Sequence, residues 1–216
     1  MPRPKPKTQQ ILDLARKVGI LHARDLKPLG IHQEYLGRLR ARGLVERVGR
    51  GLYRLPDAEV SAHHALAEAA KAVPKGIVCL ISALNFHEIG TQIPRKVWLA
   101  IDHRAARPRV DHPPLHIVRF SGKSLTEGIE VHEVDGVPVR VYSPAKTVVD
   151  CFRYRNKIGL DVALEALREA RRGRKCTIDD LWRYAKAGRA ASVIRPYLVL
   201  QRRLVMVHLA HRTSNV

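Results

Sequence analysis

Between Leu36 and Leu55 the chain reads LGRLRARGLVERVGRGLYRL. A short amphipathic run ends at Gly43, and two brief strand-like runs, Val45–Val48 and Leu52–Leu55, are joined through Gly49-Arg50-Gly51. Glycine stops the first element and lets the chain turn back in the second, and Pro56 closes the unit. Upstream, Thr8 is placed to cap a helix over Gln9–Val18, with Ile11, Leu12, Leu14, Ala15 and Val18 on its apolar face and Gly19 at its end. His22–Lys27 reads as a second helix, stopped before Pro28, and Ile31–Arg42 as a third, introduced by Gly30. Three short helices followed by a β-hairpin specify a winged helix-turn-helix over residues 1–56.

In that motif the outward face of the third helix enters the major groove and the hairpin lies along the phosphates. Tyr35, Leu36 and Leu39 share one face and should point inward, while Gln33, Glu34, Gly37, Arg38 and Ala41 share the other, with Arg40 at its flank. Gln33 and Arg38 can pair bidentately with a purine edge, so with Glu34 and Gly37 they are the candidate base contacts. Arg40, Arg42, Arg47, Arg50 and Arg54 are the candidate backbone contacts.

Charge agrees with this placement. The formal net charge is +19, and its distribution is uneven. Residues 1–56 hold 13 Lys/Arg against 4 Asp/Glu, residues 57–150 hold 11 of each, and residues 151–216 hold 15 against 5. A neutral middle flanked by two cationic ends points to a polyanionic partner. The opening PRPKPK reads as a disordered basic arm. No apolar run approaches the roughly 18 residues of a membrane span, and no signal peptide opens the chain. Three scattered cysteines, Cys79, Cys151 and Cys176, predict a reducing, cytoplasmic setting.

Residues 57–75 read as an alanine-rich linking helix and Ile77–Leu84 as a buried segment turning into helix. Val97–Ile101 and Leu115–Phe120 read as strands, and Glu130–Val134 and Val137–Tyr142 as a hairpin through Asp135-Gly136. Ser143-Pro144 begins a helix, another starts at Leu160, Thr177 caps a third, and a last covers about Ala190–Arg203. The second domain, 57–216, is therefore α+β, with a small, mainly antiparallel sheet and C-terminal helices.

No constellation there carries chemistry. His103, His112 and His116 lie in a Pro-rich loop and at a strand start without an acid–His helix motif, and the adjacent His63 and His64 point apart on a helix. Ser143 and Lys146 first read as a helix start, with Lys146 and Asp150 spaced for a surface ion pair. Asp102, Asp111 and Lys123 are too loosely spaced for a nuclease, and Gly122-Lys123-Ser124 lacks the upstream glycine of a phosphate loop. No metal, cofactor or catalytic residue is expected.

Three stretches resemble the AbiEi family of abortive-infection antitoxins, in order along the chain: GLVERVGRGLYRLP (Gly43–Pro56), LISALNFHEIGTQIPRKVWLAI (Leu80–Ile101) and VPVRVYSPAKTVVDCF (Val137–Phe152). The resemblance implies the antitoxin half of a type IV toxin–antitoxin system. Its winged helix would repress its own operon at inverted repeats in double-stranded promoter DNA. Its C-terminal domain would counteract a nucleotidyltransferase-like toxin, typically without a stable complex. By position it would make Gln33, Arg38, Arg47 and Arg50 DNA contacts. Lys146 and Asp150 match recurrent polar positions without an assigned role. His32 departs from the small polar residue often found at that helix start, and with it the cap. The alternative open at this point is a nucleic-acid-processing enzyme or RNA-binding protein that a winged helix targets. Oligomeric state is not legible.

Overall fold

The structure, a computed structural model, describes residues 5–58 and 61–199. The chain divides into two compact units that interleave in sequence. The first takes the described residues up to Val78, with Arg95–Arg119 and Glu130–Val141. The second takes Cys79–Pro94, Phe120–Ile129 and the described residues from Tyr142 onward. The expected basic arm lies mostly outside the described residues.

The first unit opens with α1 (Lys7–Val18). Thr8 does not cap it. The Gln10 amide already reaches the Pro6 carbonyl at 3.0 Å, so the helix begins earlier and Thr8 lies inside its first turn. β1 (Leu21–His22) was not anticipated; it pairs antiparallel with β3 (Leu52–Arg54), which also pairs with β2 (Glu46–Gly49). The result is a three-stranded sheet in the order β1-β3-β2. Between β1 and α2 (Glu34–Ala41) the expected second helix is a 3-10 helix, Ala23–Leu29, which runs through Pro28 instead of stopping before it. Ile11 and Ala15, four residues apart on α1, pack with Leu21, Leu26, Leu36, Leu39 and Val45 into one core. Each buried leucine or isoleucine there contributes roughly 1.5–3 kcal/mol.

Polar ties fix this core to α3 (His64–Ala72). The Asp25 carboxylate accepts the His22 amide at 3.0 Å and the Lys71 ammonium at 2.9 Å. His22 returns the cap, its Nδ1 accepting the Arg24 amide at 3.0 Å. Gly19 is required by a close approach. Its φ is +64°, and a Cβ there would fall 1.7 Å from the Asp135 carbonyl oxygen.

A five-stranded sheet completes the first unit, in the order β6 (Leu115–Phe120), β5 (Val97–Asp102), β4 (Ile77–Val78), β8 (Val137–Tyr142), β7 (Ile129–Val134). β4 is antiparallel to β5 and parallel to β8, so the small sheet is mixed at its centre. Asp135 and Gly136 both have positive φ, 50° and 71°, as the expected type I′ hairpin turn requires.

The second unit is helical: α4 (Leu80–Phe86), α5 (Lys123–Thr126), α6 (Pro144–Arg153), α7 (Arg155–Ile158), α8 (Leu160–Arg172) and α9 (Ile178–Ala187), with further helix over 191–199. The rest of the expected last helix, to Arg203, lies outside the described residues. Thr177 caps α9, its hydroxyl accepting the Asp180 amide at 3.0 Å. α6 packs on α4, α8 and α9 and is buried along its whole length from Ala145 to Phe152. Lys146 and Asp150 therefore form a buried ion pair, not the surface pair that their spacing suggested. Lys146 Nζ also lies 4.4 Å from the Tyr142 ring centre and 5.0 Å from that of Phe120. Burial pushes the Asp150 carboxyl up, against the pull of Lys146, and its Oδ1 has no hydrogen-bond partner among the described residues. Ser143 precedes α6, yet its buried hydroxyl caps nothing.

Burial, then repulsion by Arg24, holds His22 below its usual 6.5. Unfolding then takes up a proton as pH falls through 6.5, so the stability of this cap is present above that value and lost below it. Burial raises the Asp25 carboxyl, but the Lys71 and His22 hydrogen bonds outweigh it and leave the group below 3.8. Its stability is present above 3.8 and lost as pH falls through the lower folded value. Urea unfolding against pH should therefore weaken in both windows. His22→Asn, which caps at any pH, should shrink the upper step; Asp25→Asn should shrink the lower one and cost about 1–2 kcal/mol at neutral pH.

Lys146→Met alone should destabilise the chain by about 3–5 kcal/mol, because Asp150 is left buried and unpaired. The double change Lys146→Met with Asp150→Leu should recover most of that loss in the same denaturation experiment.

Candidate nucleic-acid interface

α2 begins without a cap from Gln33, the residue that precedes it. His32 supplies one instead, its Nδ1 accepting the Glu34 amide at 3.3 Å. The His32 ring thus does the work of the small polar residue expected at this helix start. Leu36 and Leu39 are buried and Tyr35 is half-buried. Gln33, Glu34, Gly37, Arg38, Arg40, Ala41 and Arg42 are exposed, as the helical spacing required. Arg38 donates to Glu34 at 2.7 Å and lies 5.5 Å from the Tyr35 ring centre, which Lys7 also approaches at 5.6 Å. The guanidinium is thereby held extended along the helix face. Nothing lies within 4 Å of where a Gly37 side chain would begin, so the protein itself does not demand glycine there.

The hairpin divides its arginines. Arg54 is hydrogen-bonded to Glu46, its cross-strand partner, and is only half-exposed. Arg47 donates to the Gly49 carbonyl at 3.0 Å. Arg50 projects from the turn. Arg40, Arg42 and Arg50 have no side-chain hydrogen bond or ion pair among the described residues. Of the candidate backbone contacts, these three and Arg47, whose partner is a neutral carbonyl, carry uncompensated charge, whereas the Arg54 charge is largely neutralised within the sheet.

Within the first unit, Gln33 and Arg50 line one groove of about 440 Å³. Arg109 and His112, from the segment between β5 and β6, line it as well. The His112 carbonyl comes 3.3 Å from where a Gly49 Cβ would be. Arg109 was missed in the sequence. Its signal was present as the arginine spacing of RAARPRV, Arg104 to Val110, but nothing in the sequence linked that segment to a hairpin some 60 residues earlier.

Residues 9–56 match the family described as transcriptional regulator, AbiEi antitoxin. The AbiEi match starts within α1, covers α2 and the β2–β3 hairpin, and ends at Pro56. It coincides with the segment whose exposed face carries Arg38, Arg40, Arg42 and Arg50. No curated protein matches the chain.

The other constellations gather no comparable site. His64 Nδ1 contacts the Asp135 carboxylate at 2.6 Å, and Glu68 stands 3.3 Å from the other ring nitrogen and 3.4 Å from His112. These contacts tie α3 to the β7–β8 turn, and no metal-binding group of His, Cys, Asp or Glu is found among the described residues. Burial pushes the Cys151 thiol far up and the Cys176 thiol up to about 11, opposite to what a nucleophile needs. No described helix is long and apolar enough to cross a membrane.

Gly37→Ala isolates the role of the helix face. Alanine is the better helix former by about 0.8–1.0 kcal/mol and meets no protein atom, so thermal unfolding should shift upward. If DNA backbone or bases approach α2 closely at this position, the same variant should bind duplex DNA more weakly in an anisotropy titration. Equal or tighter DNA binding by the stabilised variant would remove Gly37 from the interface.

Proposed function

We propose that this chain is a DNA-binding antitoxin that represses its own operon at inverted repeats in the promoter and counteracts a nucleotidyltransferase-like toxin. What carries the reading is a coincidence of position. The segment matching an antitoxin transcriptional-regulator family is the one whose second α-helix and hairpin tip carry uncompensated arginines on exposed faces. In this reading residues 1–56 are a winged helix-turn-helix, α2 is its recognition helix and the β2–β3 hairpin its wing. Residues 57–216 are the antitoxin domain, and the protein works in the cytoplasm.

Exposure and charge support the roles in this reading. Gln33, Glu34, Gly37 and Arg38 face base edges. Arg38 must exchange its Glu34 partner for a purine, and Glu34 is then free to accept from a cytosine amino group. Arg40, Arg42, Arg47 and Arg50 contact phosphates, Arg54 supports the hairpin and adds a weaker phosphate contact, and Arg109 extends the backbone track from the groove shared with Gln33 and Arg50. The compact unit that includes the hairpin also draws on residues 95–119 and 130–141, so the appropriate tests are full-length variants.

About five or six phosphate contacts should give log affinity a slope near −5 against log salt, at roughly 0.9 per contact. Arg50→Ala should weaken all duplexes alike and shallow that slope by about one unit. Arg38→Ala should instead cost about 1–3 kcal/mol on the operator and relax discrimination at one base pair. In cells, Arg40→Ala combined with Arg42→Ala and Arg50→Ala should abolish promoter repression while protection from the cognate toxin persists. A salt slope near zero, or loss of protection by this soluble triple variant, would refute the assignment.

A further inference from the structure

The second unit contains a larger concavity, of about 930 Å³, outside the segment that matches the regulator family. Three stretches of chain wall it: Ser121–Gly128 around α5, the end of α6, and the end of α9 with the residues that follow. They bring Lys123, Arg153, Arg183, Lys186 and Arg189 to one surface, against a single lining carboxylate, Glu127.

The charges are unequally compensated. Arg183 is 3.2 Å from Asp180 and Lys123 is 3.9 Å from Glu127. Lys186 and Arg189 are exposed and have no side-chain hydrogen bond or ion pair among the described residues. Arg153 donates to the Ser124 hydroxyl at 3.0 Å and lies 5.7 Å and 5.9 Å from the Phe120 and Tyr154 ring centres. Its guanidinium is fixed in place by neutral partners, with donors left over. A cation fixed before binding loses little freedom when an anion arrives, and the planar guanidinium fork suits phosphate oxygens. Three uncompensated cations around one concavity would repel each other in an empty pocket, and a phosphate group relieves that repulsion. The volume exceeds what a lone phosphate fills and lies in the range of small-molecule sites. Nothing lies within 4 Å of where a Gly122 side chain would begin, and Ala187 and Tyr184 give uncharged wall for the rest of such a ligand.

We infer that this pocket binds a nucleotide-sized phosphate ester, with Arg153, Lys186 and Arg189 on the phosphate. The chemistry is the same whether the ligand is a free nucleotide or a terminal nucleotide of a single strand, and the test separates the two. The inference is independent of the proposed DNA surface, which lies on other residues.

Full-length protein is titrated by calorimetry near physiological salt with inorganic pyrophosphate, adenosine diphosphate and a short 5′-phosphorylated RNA. The variants are Lys186→Gln, Arg189→Gly and, as a control at an exposed arginine outside the pocket lining, Arg168→Gln. Arg189 has a φ of +55°, which glycine adopts without strain, so Arg189→Gly should keep or raise the melting temperature while it removes the charge. Binding should fall roughly tenfold for each lost contact in Lys186→Gln and Arg189→Gly and stay unchanged in the Arg168→Gln control. Tighter binding of the diphosphate than of pyrophosphate identifies a free nucleotide; tight binding of the RNA alone identifies a strand end. The inference is overturned if no probe binds below about 1 mM (roughly 4 kcal/mol of binding free energy). It is equally overturned if the control loses binding while the two pocket variants keep it.

Discussion

The second unit is organised around one buried ion pair. α6 has helices on several sides, so no face of it is free for a charge, yet it carries Lys146 and Asp150 one turn apart. Two charges can stay in that interior only together, with the ammonium also set against the Tyr142 and Phe120 rings. The ring contacts of Lys146, made to residues outside α6, set which way this face of the helix points. That orientation brings Arg153 out at the end of the helix, beside Ser124, at the edge of the cationic pocket. Apolar residues in place of both charges would suit the hydrophobic core equally well, so what the charged pair adds is the placement of Lys146 against the two rings more than net stability.

The first unit solves a different problem, that of holding a short, highly charged segment in a fixed shape. Its helices are too short to be stable alone, and intrinsic propensity contributes little. Order comes from the shared core beneath α1 and α2, and from polar ties that satisfy helix ends: His22 and Asp25 around the 3-10 helix, His32 at α2, Lys71 from α3. With backbone groups satisfied in this way, the exposed arginines need no internal partner. Arg40, Arg42 and Arg50 retain their full charge for a polyanion, whereas Arg54 gives up most of its charge to Glu46 to brace the hairpin.

Each unit thus presents its own concentration of positive charge, and the two differ in form. The α2–hairpin surface spreads its unpaired arginines over an exposed helix face and a hairpin turn, a pattern suited to a polyanion met along its length. The surface around Arg153, Lys186 and Arg189 is concave and of limited volume, suited to one phosphorylated group at a time.

The sequence by itself determined what local physics controls. Gly43, Gly49 and Gly51 marked the helix stop and hairpin, Asp135-Gly136 the type I′ turn, and Thr177 its helix start, because turns and caps depend on a few adjacent residues. Leu36 and Leu39 against Gln33, Gly37 and Arg38 gave the two faces of α2, because helical period is a local property. Tertiary structure decided everything that required distant segments to meet. β1 exists because Leu21 and His22 find Tyr53 and Leu52; two residues carry no strand signal of their own. Thr8 lost its capping role to a helix that starts two residues earlier, at Lys7, and Lys146 and Asp150 went inside because other helices cover α6. Arg109 joined Gln33 and Arg50, and Lys186 and Arg189 joined Arg153, only once the chain had folded. The sequence records a charge, but only packing fixes where it points and whether it is spent on an internal partner.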